Sequence, residues 1–201
     1  CERSRAWDDL GMPPMIMSIN LSVSQLMHPE FVTDCAAALK EAGRKPELFE
    51  LEITESMVMQ NPDTAARLME ELRSIGVRLA IDDFGTGYSS LGYLKPLPIA
   101  RLKIDRSFVA DLPGDVSDAG IVSAIVNLGR ALNLQVIAEG VETEAQRHFL
   151  RQAGCDEYQG FLFAPALDVR SFEALLAAPA ESARVLRLPA RRAARGIEST
   201  Q

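Results

Sequence analysis

The sequence predicts an α/β fold in which the strands of a parallel sheet alternate with helices along the chain. Short apolar runs alternate with longer segments whose apolar residues recur at helical spacing. Successive runs begin roughly 20 to 36 residues apart, which is the length of one strand plus one helix. Polar residues also recur near the C-terminal ends of the runs, where α/β proteins bind their ligands.

Six segments have the character of strands, which is two short of the eight that a closed (β/α) barrel needs. The residues alone therefore leave an open doubly wound sheet and a barrel both possible. The predicted strands cover residues 15–22, 49–54, 78–82, 101–105, 135–140 and 158–161.

Helices are predicted between these strands from apolar stripes and end signals. In the first half, residues 29–40 carry an apolar stripe. Asn61 followed by Pro62 is a typical helix start, and Gly76 is a typical end.

The second half carries equally clear signals. Residues 117–132 form the longest predicted helix. Thr143 and Gln146 form a capping box for the next helix, which Gly154 ends. Asp168 is expected to cap a final helix.

Composition narrows the class of protein. A net charge of −7 argues against a general nucleic-acid-binding surface. No apolar run is long enough to span a bilayer. The three scattered cysteines favour a reducing cytoplasm, either for a free protein or for the cytosolic part of a membrane-anchored sensor.

The ends of the chain differ from its middle. Residues 1–177 are predicted to form one domain, and the Ala- and Arg-rich residues 178–201 are predicted to form a tail or linker. The first residue is not Met, so we expect the chain to begin partway through a larger unit.

Five predicted strands each place one polar side chain near the C-terminal end, on the face opposite the helix-facing apolar set. In parallel sheets these ends meet, and clustered carboxylates repel unless positive charge lies between them. Oxygen ligands without His or Cys indicate Mg²⁺ or Mn²⁺, and the adjacent Asp82 and Asp83 suit a two-metal site for hydrolysis at phosphorus. The five residues are Asn20, Glu52, Asp82, Lys103 and Glu139.

Each residue also has a simpler interpretation when taken singly. Glu55 and Glu142 could be carboxylates at helix N-termini. Gln159 could be a buried structural amide, and Lys103 could be a counter-ion in a barrel core. Polar residues recur at the same end and on the same face of five predicted strands, and this recurrence favours a common site.

At these residues the sequence resembles the EAL domain family, which comprises bacterial phosphodiesterases of cyclic di-GMP. The matching segments occur in the family's order and span roughly residues 5 to 170, and together they are highly specific. They are "NLS" (20–22), "LEITES" (51–56), "IDDFGTGYSSL" (81–91), "LKIDRSFV" (102–109), "IAEGVET" (137–143) and "QGFLF" (159–163).

The resemblance implies a modified TIM (β/α) barrel with one antiparallel strand near its start, and six of its eight strands in this chain. It implies hydrolysis of one phosphodiester of cyclic di-GMP to linear pGpG with Mg²⁺ or Mn²⁺. It also implies a homodimer and fusion to upstream sensory or GGDEF domains.

The resemblance further assigns roles by motif position. Asp82 resembles a ligand that bridges two metals. Glu139 resembles a general base or a holder of the attacking water, and Lys103 resembles the group that orients this water. The residues that resemble metal ligands are Asn20, Glu52, Asp82 and Asp83.

Supporting roles follow from the same motifs. Glu55 resembles the anchor of the loop after Asp83, and Glu142 and Gln159 match positions near the metals and water. The loop resembles a segment that couples dimerisation to metal binding. It covers residues 84–90, which include Phe84, Gly85, Thr86 and Gly87.

One departure from the family pattern leaves alternatives open. The Glu-Ala-Leu signature, whose Glu is a metal ligand, is absent from this chain. The chain is either a fragment of a longer protein or a truncated, inactive form, and we expect a fragment that is inactive alone while the complete domain is active. A non-catalytic cyclic di-GMP receptor or interaction module is the alternative. Another metal-dependent barrel hydrolase is disfavoured by the ordered motifs.

Overall fold

A computed structural model describes residues 5–7, 11–12, 14–87 and 91–177. Within them, six strands form one sheet in the order of the sequence, and every neighbouring pair is parallel. The strands are β1 (Met17–Asn20), β2 (Phe49–Thr54), β3 (Arg78–Phe84), β4 (Arg101–Ile104), β5 (Gln135–Ala138) and β6 (Glu157–Tyr158). The predicted α/β fold with six strands is confirmed.

Helices connect the strands. Two 3₁₀ turns, Pro46–Leu48 and Arg106–Phe108, accompany them. The helices are α1 (Val23–Leu26), α2 (Phe31–Ala42), α3 (Glu55–Gln60), α4 (Pro62–Ser74), α5 (Leu91–Leu94), α6 (Val116–Ala131), α7 (Glu144–Ala153) and α8 (Val169–Ala177).

The core lies between the sheet and the helices. Ile53 of β2 and Leu102 of β4 are completely buried, as are Leu72 of α4 and Val126 of α6. Ile53 and Leu102 belong to the apolar sets that alternation along the strands assigns to the helix-facing side. Their burial fixes which face of each strand turns to the helices, because neighbouring side chains in a strand point to opposite faces.

The other face of the sheet is concave and polar. Arg101 and Lys103 lie two residues apart on β4, and each reaches across β3 to a glutamate of β2. Arg101 Nη1 is 3.3 Å from Glu50 Oε1, and Lys103 Nζ is 2.6 Å from Glu52 Oε2. Side chains of non-adjacent strands meet in this way because the sheet curls into a half-barrel.

Local signals in the sequence account for both ends of α7. The hydroxyl of Thr143 accepts the N–H of Gln146, and the Gln146 side chain accepts the N–H of Thr143, as a capping box requires. Gly154 ends α7 in the left-handed conformation, with φ of 86°. The short α1, α3 and α5 were not predicted, since four to six residues are too few to establish a helical period.

The last predicted strand differs from the observed one. It was expected over residues 158–161, but β6 ends at Tyr158. Beyond it the chain turns to bond the loop after β5, where Leu162 N–H donates to the Val141 carbonyl at 2.9 Å. Among the described residues, no helix has the length and apolar character to cross a membrane. The predicted tail over residues 178–201 lies outside the described residues.

Candidate metal centre and active site

Four carboxylates surround one ammonium group where β2, β3, β4 and β5 end. Lys103 Nζ is 2.6 Å from Glu52 Oε2, 2.9 Å from Asp82 Oδ1 and 2.6 Å from Glu139 Oε1. Asp83 is the fourth acidic residue, and ligand atoms of Asp82, Asp83 and Glu139 lie within 4.8 Å of one another. Parallel pairing in register places these groups at one edge of the sheet.

Asn20 completes the cluster from β1, where it pairs directly with Glu52 of β2. With its nitrogen facing the carboxylates, the amide lies 3.0 Å from Glu52 Oε2 and 3.2 Å from Asp82 Oδ2. In the opposite orientation the amide oxygen points to these carboxylates and meets only hydrogen-bond acceptors. A cation bound here would favour the orientation with the oxygen inward, because it would attract the oxygens of Asn20, Glu52 and Asp82 together.

A bulge in β3 explains how two adjacent aspartates reach one site. Ile81 pairs with Leu102 and Phe84 with Ile104, so Asp82 and Asp83 together oppose Lys103 alone. Asp83 adopts a positive φ of 53°, which is uncommon for a residue other than glycine, and its N–H donates to Asp82 Oδ1 at 3.1 Å. The extra residue turns both carboxylates toward the cluster, whereas a regular strand would send them to opposite faces.

The charges of the cluster shift the pKa values of its members, and they favour the binding of cations. Burial, together with the charges of Asp82 and Asp105, raises the pKa of Asp83. Burial also raises the pKa of Glu139, although Lys103 opposes this shift. Burial alone would lower the pKa of Lys103, but hydrogen bonds to Glu139, Glu52 and Asp82 outweigh it and raise that pKa.

The donor set fits hard divalent ions. The cluster offers carboxylate and amide oxygens, with four acidic groups against one ammonium. Mg²⁺ and Mn²⁺ prefer such oxygens, and an excess of negative charge attracts them. Asn20, Glu52, Asp82 and Asp83 could therefore hold divalent cations.

Asp105 is a neighbour of the site that the sequence reasoning missed. Its carboxylate lies near that of Asp83, and its negative charge helps to raise the pKa of Asp83. Burial alone would raise the pKa of Asp105, but hydrogen bonds from Ser107 outweigh it and lower that pKa. The signal was present in the sequence, since Asp105 follows Lys103 by two residues at the end of the same predicted strand.

Gln159 joins the loops after β5 and β6. Its Nε2 donates to Glu139 Oε1 at 2.7 Å, its N–H donates to the Ala138 carbonyl, and its carbonyl accepts the Val141 N–H. Gly160 permits this close approach, because a Cβ there would lie 2.3 Å from both the nitrogen and the oxygen of Val141. Backbone contact therefore fixes the amide of Gln159 on Glu139.

Glu55 holds the loop that follows β3. Glu55 is buried, and its Oε2 accepts the N–H of Gly85 at 2.9 Å. A Cβ on Gly87 would lie 2.9 Å from Glu55 Oε1, so the loop passes tightly over this carboxylate. The Thr86 hydroxyl donates to the Asp83 carbonyl at 2.8 Å, and Phe84 is buried. Residues 88–90 of the predicted loop lie outside the described residues.

Glu142 stands apart from the other predicted site residues. It is exposed, and its backbone N–H donates to Gln146 Oε1 at 2.7 Å. Within the described part of the chain, no hydrogen bond or ion pair links its side chain to the cluster.

Comparison with known proteins identifies the family. The sequence profile of the EAL domain matches residues 1–166. This chain belongs to the EAL domain family. The TIM-barrel-like fold implied by the resemblance is confirmed, since the solved EAL domain of Mycobacterium smegmatis DcpA aligns with a TM-score of 0.84. That alignment has 43% identity and covers 88% of this chain and 80% of the other.

Two further proteins are similar to this chain. The bifunctional diguanylate cyclase/cyclic di-GMP phosphodiesterase MucR of Pseudomonas aeruginosa is 49% identical over 162 residues, which are 81% of this chain and 24% of MucR. The MucR phosphodiesterase, solved with c-di-GMP, aligns with a TM-score of 0.83 and 46% identity over 86% of this chain and 70% of the other. Klebsiella pneumoniae BlrP1, solved with manganese and c-di-GMP, aligns with a TM-score of 0.72 and 33% identity over 80% and 41%.

Proposed function

We propose that this EAL domain hydrolyses one phosphodiester of cyclic di-GMP to give linear pGpG, with Mg²⁺ or Mn²⁺ held by the cluster. One observation carries the proposal: amide, carboxylate and ammonium groups from five strands and their ends converge within hydrogen-bond distance of one another. The cyclic di-GMP complexes of the MucR and BlrP1 neighbours support the substrate, and the manganese in BlrP1 supports the metal.

Asn20, Glu52, Asp82 and Asp83 would hold the divalent cations, and Asp82 is the carboxylate that would be shared between two of them. Divalent cations in such a site lower the pKa of water and screen the phosphate oxygens. Glu139 accepts the proton of the attacking water. Lys103 and Gln159 both contact Glu139 Oε1, so Oε2 is the oxygen available for this transfer. Lys103 orients the water by holding Glu139 at 2.6 Å, and its charge stabilises the negative charge that develops on the phosphoryl oxygens.

The assay compares this chain with a longer protein, a version extended upstream so that it includes a Glu-Ala-Leu strand, each incubated with cyclic di-GMP and Mg²⁺ or Mn²⁺. We expect pGpG, separated by liquid chromatography, from the longer protein and little from the 201-residue chain. EDTA is expected to abolish the product. Glu139→Gln should abolish turnover while leaving cyclic di-GMP binding intact. Binding by the longer protein without pGpG would overturn the proposal and favour a receptor.

The remaining proposals concern the setting of the domain. We propose a cytoplasmic domain, since Cys35 and Cys155 are free thiols that suit a reducing compartment. We also propose a homodimer fused to upstream sensory or GGDEF domains. Light scattering coupled to size exclusion measures the mass of the assembly, and a mass equal to one chain would contradict the dimer.

Gly160→Ala is expected to lower turnover at least about tenfold, as loss of supporting contacts at metal sites does. The new methyl group would push residue 160 away from the Val141 backbone and carry the Gln159 amide off Glu139. The measurement is kcat for pGpG release by the longer protein. Gly120→Ala is the control, because a Cβ at Gly120 meets nothing within 4 Å. Equal kcat for Gly160→Ala and the control would contradict this role for Gly160.

A further inference from the structure

We infer that Lys103 competes with divalent cations for the carboxylate oxygens of the centre and thereby sets the metal concentration at which the site fills. The inference rests on the proposed function, because it concerns the cations that the cluster is proposed to hold. It gives Lys103 a second role, separate from orienting the attacking water.

The contacts of Lys103 carry the inference. An ammonium group has three N–H donors, and Lys103 directs contacts of 2.6 to 2.9 Å to three carboxylates. Two of these carboxylates, Glu52 and Asp82, are proposed metal ligands. The lysine side chain is only 5% exposed, so little solvent screens its charge.

Two physical effects follow from this position. A carboxylate oxygen that accepts a short hydrogen bond from an ammonium has less electron density to offer a metal. A cation bound among the same oxygens also lies close to the lysine charge and is repelled by it, and burial strengthens that repulsion. Both effects weaken metal binding, so removal of the lysine charge should strengthen it.

Lys103 also has a stabilising role that explains its position. Four carboxylates in one cluster repel one another, and the ammonium offsets part of that repulsion. Replacing Lys103 should therefore destabilise the fold, and an added divalent cation should restore more stability to the variant than to the wild type. Because the cation takes over the charge-balancing role of the ammonium, the variant is also expected to bind the cation more tightly.

The test measures binding of Mn²⁺ alone to this chain by isothermal titration calorimetry. Lys103→Met is expected to bind Mn²⁺ at least about tenfold more tightly than the wild type. Lys40→Met is the matched control, because Lys40 is exposed on α2 and its loss changes the net charge equally. We expect the control to bind as the wild type does. Equal or weaker binding by Lys103→Met would overturn the inference.

Thermal unfolding with and without Mn²⁺ covers the case in which the variant is too unstable for calorimetry. The Tm of Lys103→Met should rise more on addition of Mn²⁺ than the Tm of the wild type. A variant that stays unfolded at every Mn²⁺ concentration would overturn the inference, since the cation would then fail to replace the ammonium. Failure of the proposed metal centre is distinguishable, because the wild type itself would then bind no Mn²⁺.

Discussion

Asp82→Asn is expected to lower the kcat for cyclic di-GMP hydrolysis by at least about a hundredfold, since even residues that only support metal ligands cost 10- to 100-fold. Asp82 occupies the centre of the cluster. Its Oδ1 contacts Lys103 Nζ at 2.9 Å and the Asp83 N–H at 3.1 Å, and its Oδ2 faces the Asn20 amide. Asparagine keeps the size of the side chain but removes its charge and one oxygen ligand.

Two measurements check this expectation, namely pGpG formation by the longer protein and Mn²⁺ affinity of the variant. Asp63→Asn is the control, because Asp63 is an exposed residue in the first turn of α4. The control should keep both properties, and the unfolding transition of each variant shows that it is folded under the conditions of the assay. Turnover by Asp82→Asn above a tenth of the wild-type rate would remove Asp82 from the proposed set of metal ligands.

Arg101→Met is expected to lower the free energy of unfolding by about 3–5 kcal/mol, the usual cost of breaking a buried ion pair from one side. Glu50 is completely buried on the concave face, and its partners are Arg101 Nη1 at 3.3 Å and the Ser18 hydroxyl at 3.3 Å. Arg101 also contacts Glu157 at 3.4 Å and Gln135 at 3.0 Å. Without the guanidinium, the Glu50 carboxylate loses its buried counter-charge. Since whole domains are stable by only about 5–15 kcal/mol, the effect would be severe.

Urea denaturation of the purified variants gives the free energies. The informative comparison is the double variant Arg101→Met with Glu50→Leu, in which both charges are gone. We expect it to recover most of the lost stability, because apolar pairs often replace buried ion pairs without cost. A double variant as unstable as Arg101→Met would show that Arg101 acts through Glu157 or Gln135 instead.

Much of the site could be predicted from the sequence, because parallel strands in register bring their C-terminal ends together. Alternation along each strand was enough to group Glu52 with Lys103, and the structure places these two side chains 2.6 Å apart. The same alternation places Asp105 on the face of Lys103, although Asp105 was not among the predicted site residues. Gln159 entered only through the family resemblance, since its contact with Glu139 depends on the path of a loop.

Other features could not be read from residue patterns. Alternation sends Asp82 and Asp83 to opposite faces, and the bulge that unites them depends on pairing with β4. The threefold contact of Lys103 depends on the curl of the sheet, because its partners come from three different strands or strand ends. Curvature of this kind arises from packing of the whole sheet and has no local sequence signal.

The extra residue in β3 separates the stability of the sheet from the composition of the site. Deletion of either aspartate would restore regular pairing, with one residue opposite Lys103, and Phe84 would still pair with Ile104 and stay buried. The sheet should therefore survive such a deletion, whereas the cluster would lose one of its four carboxylates.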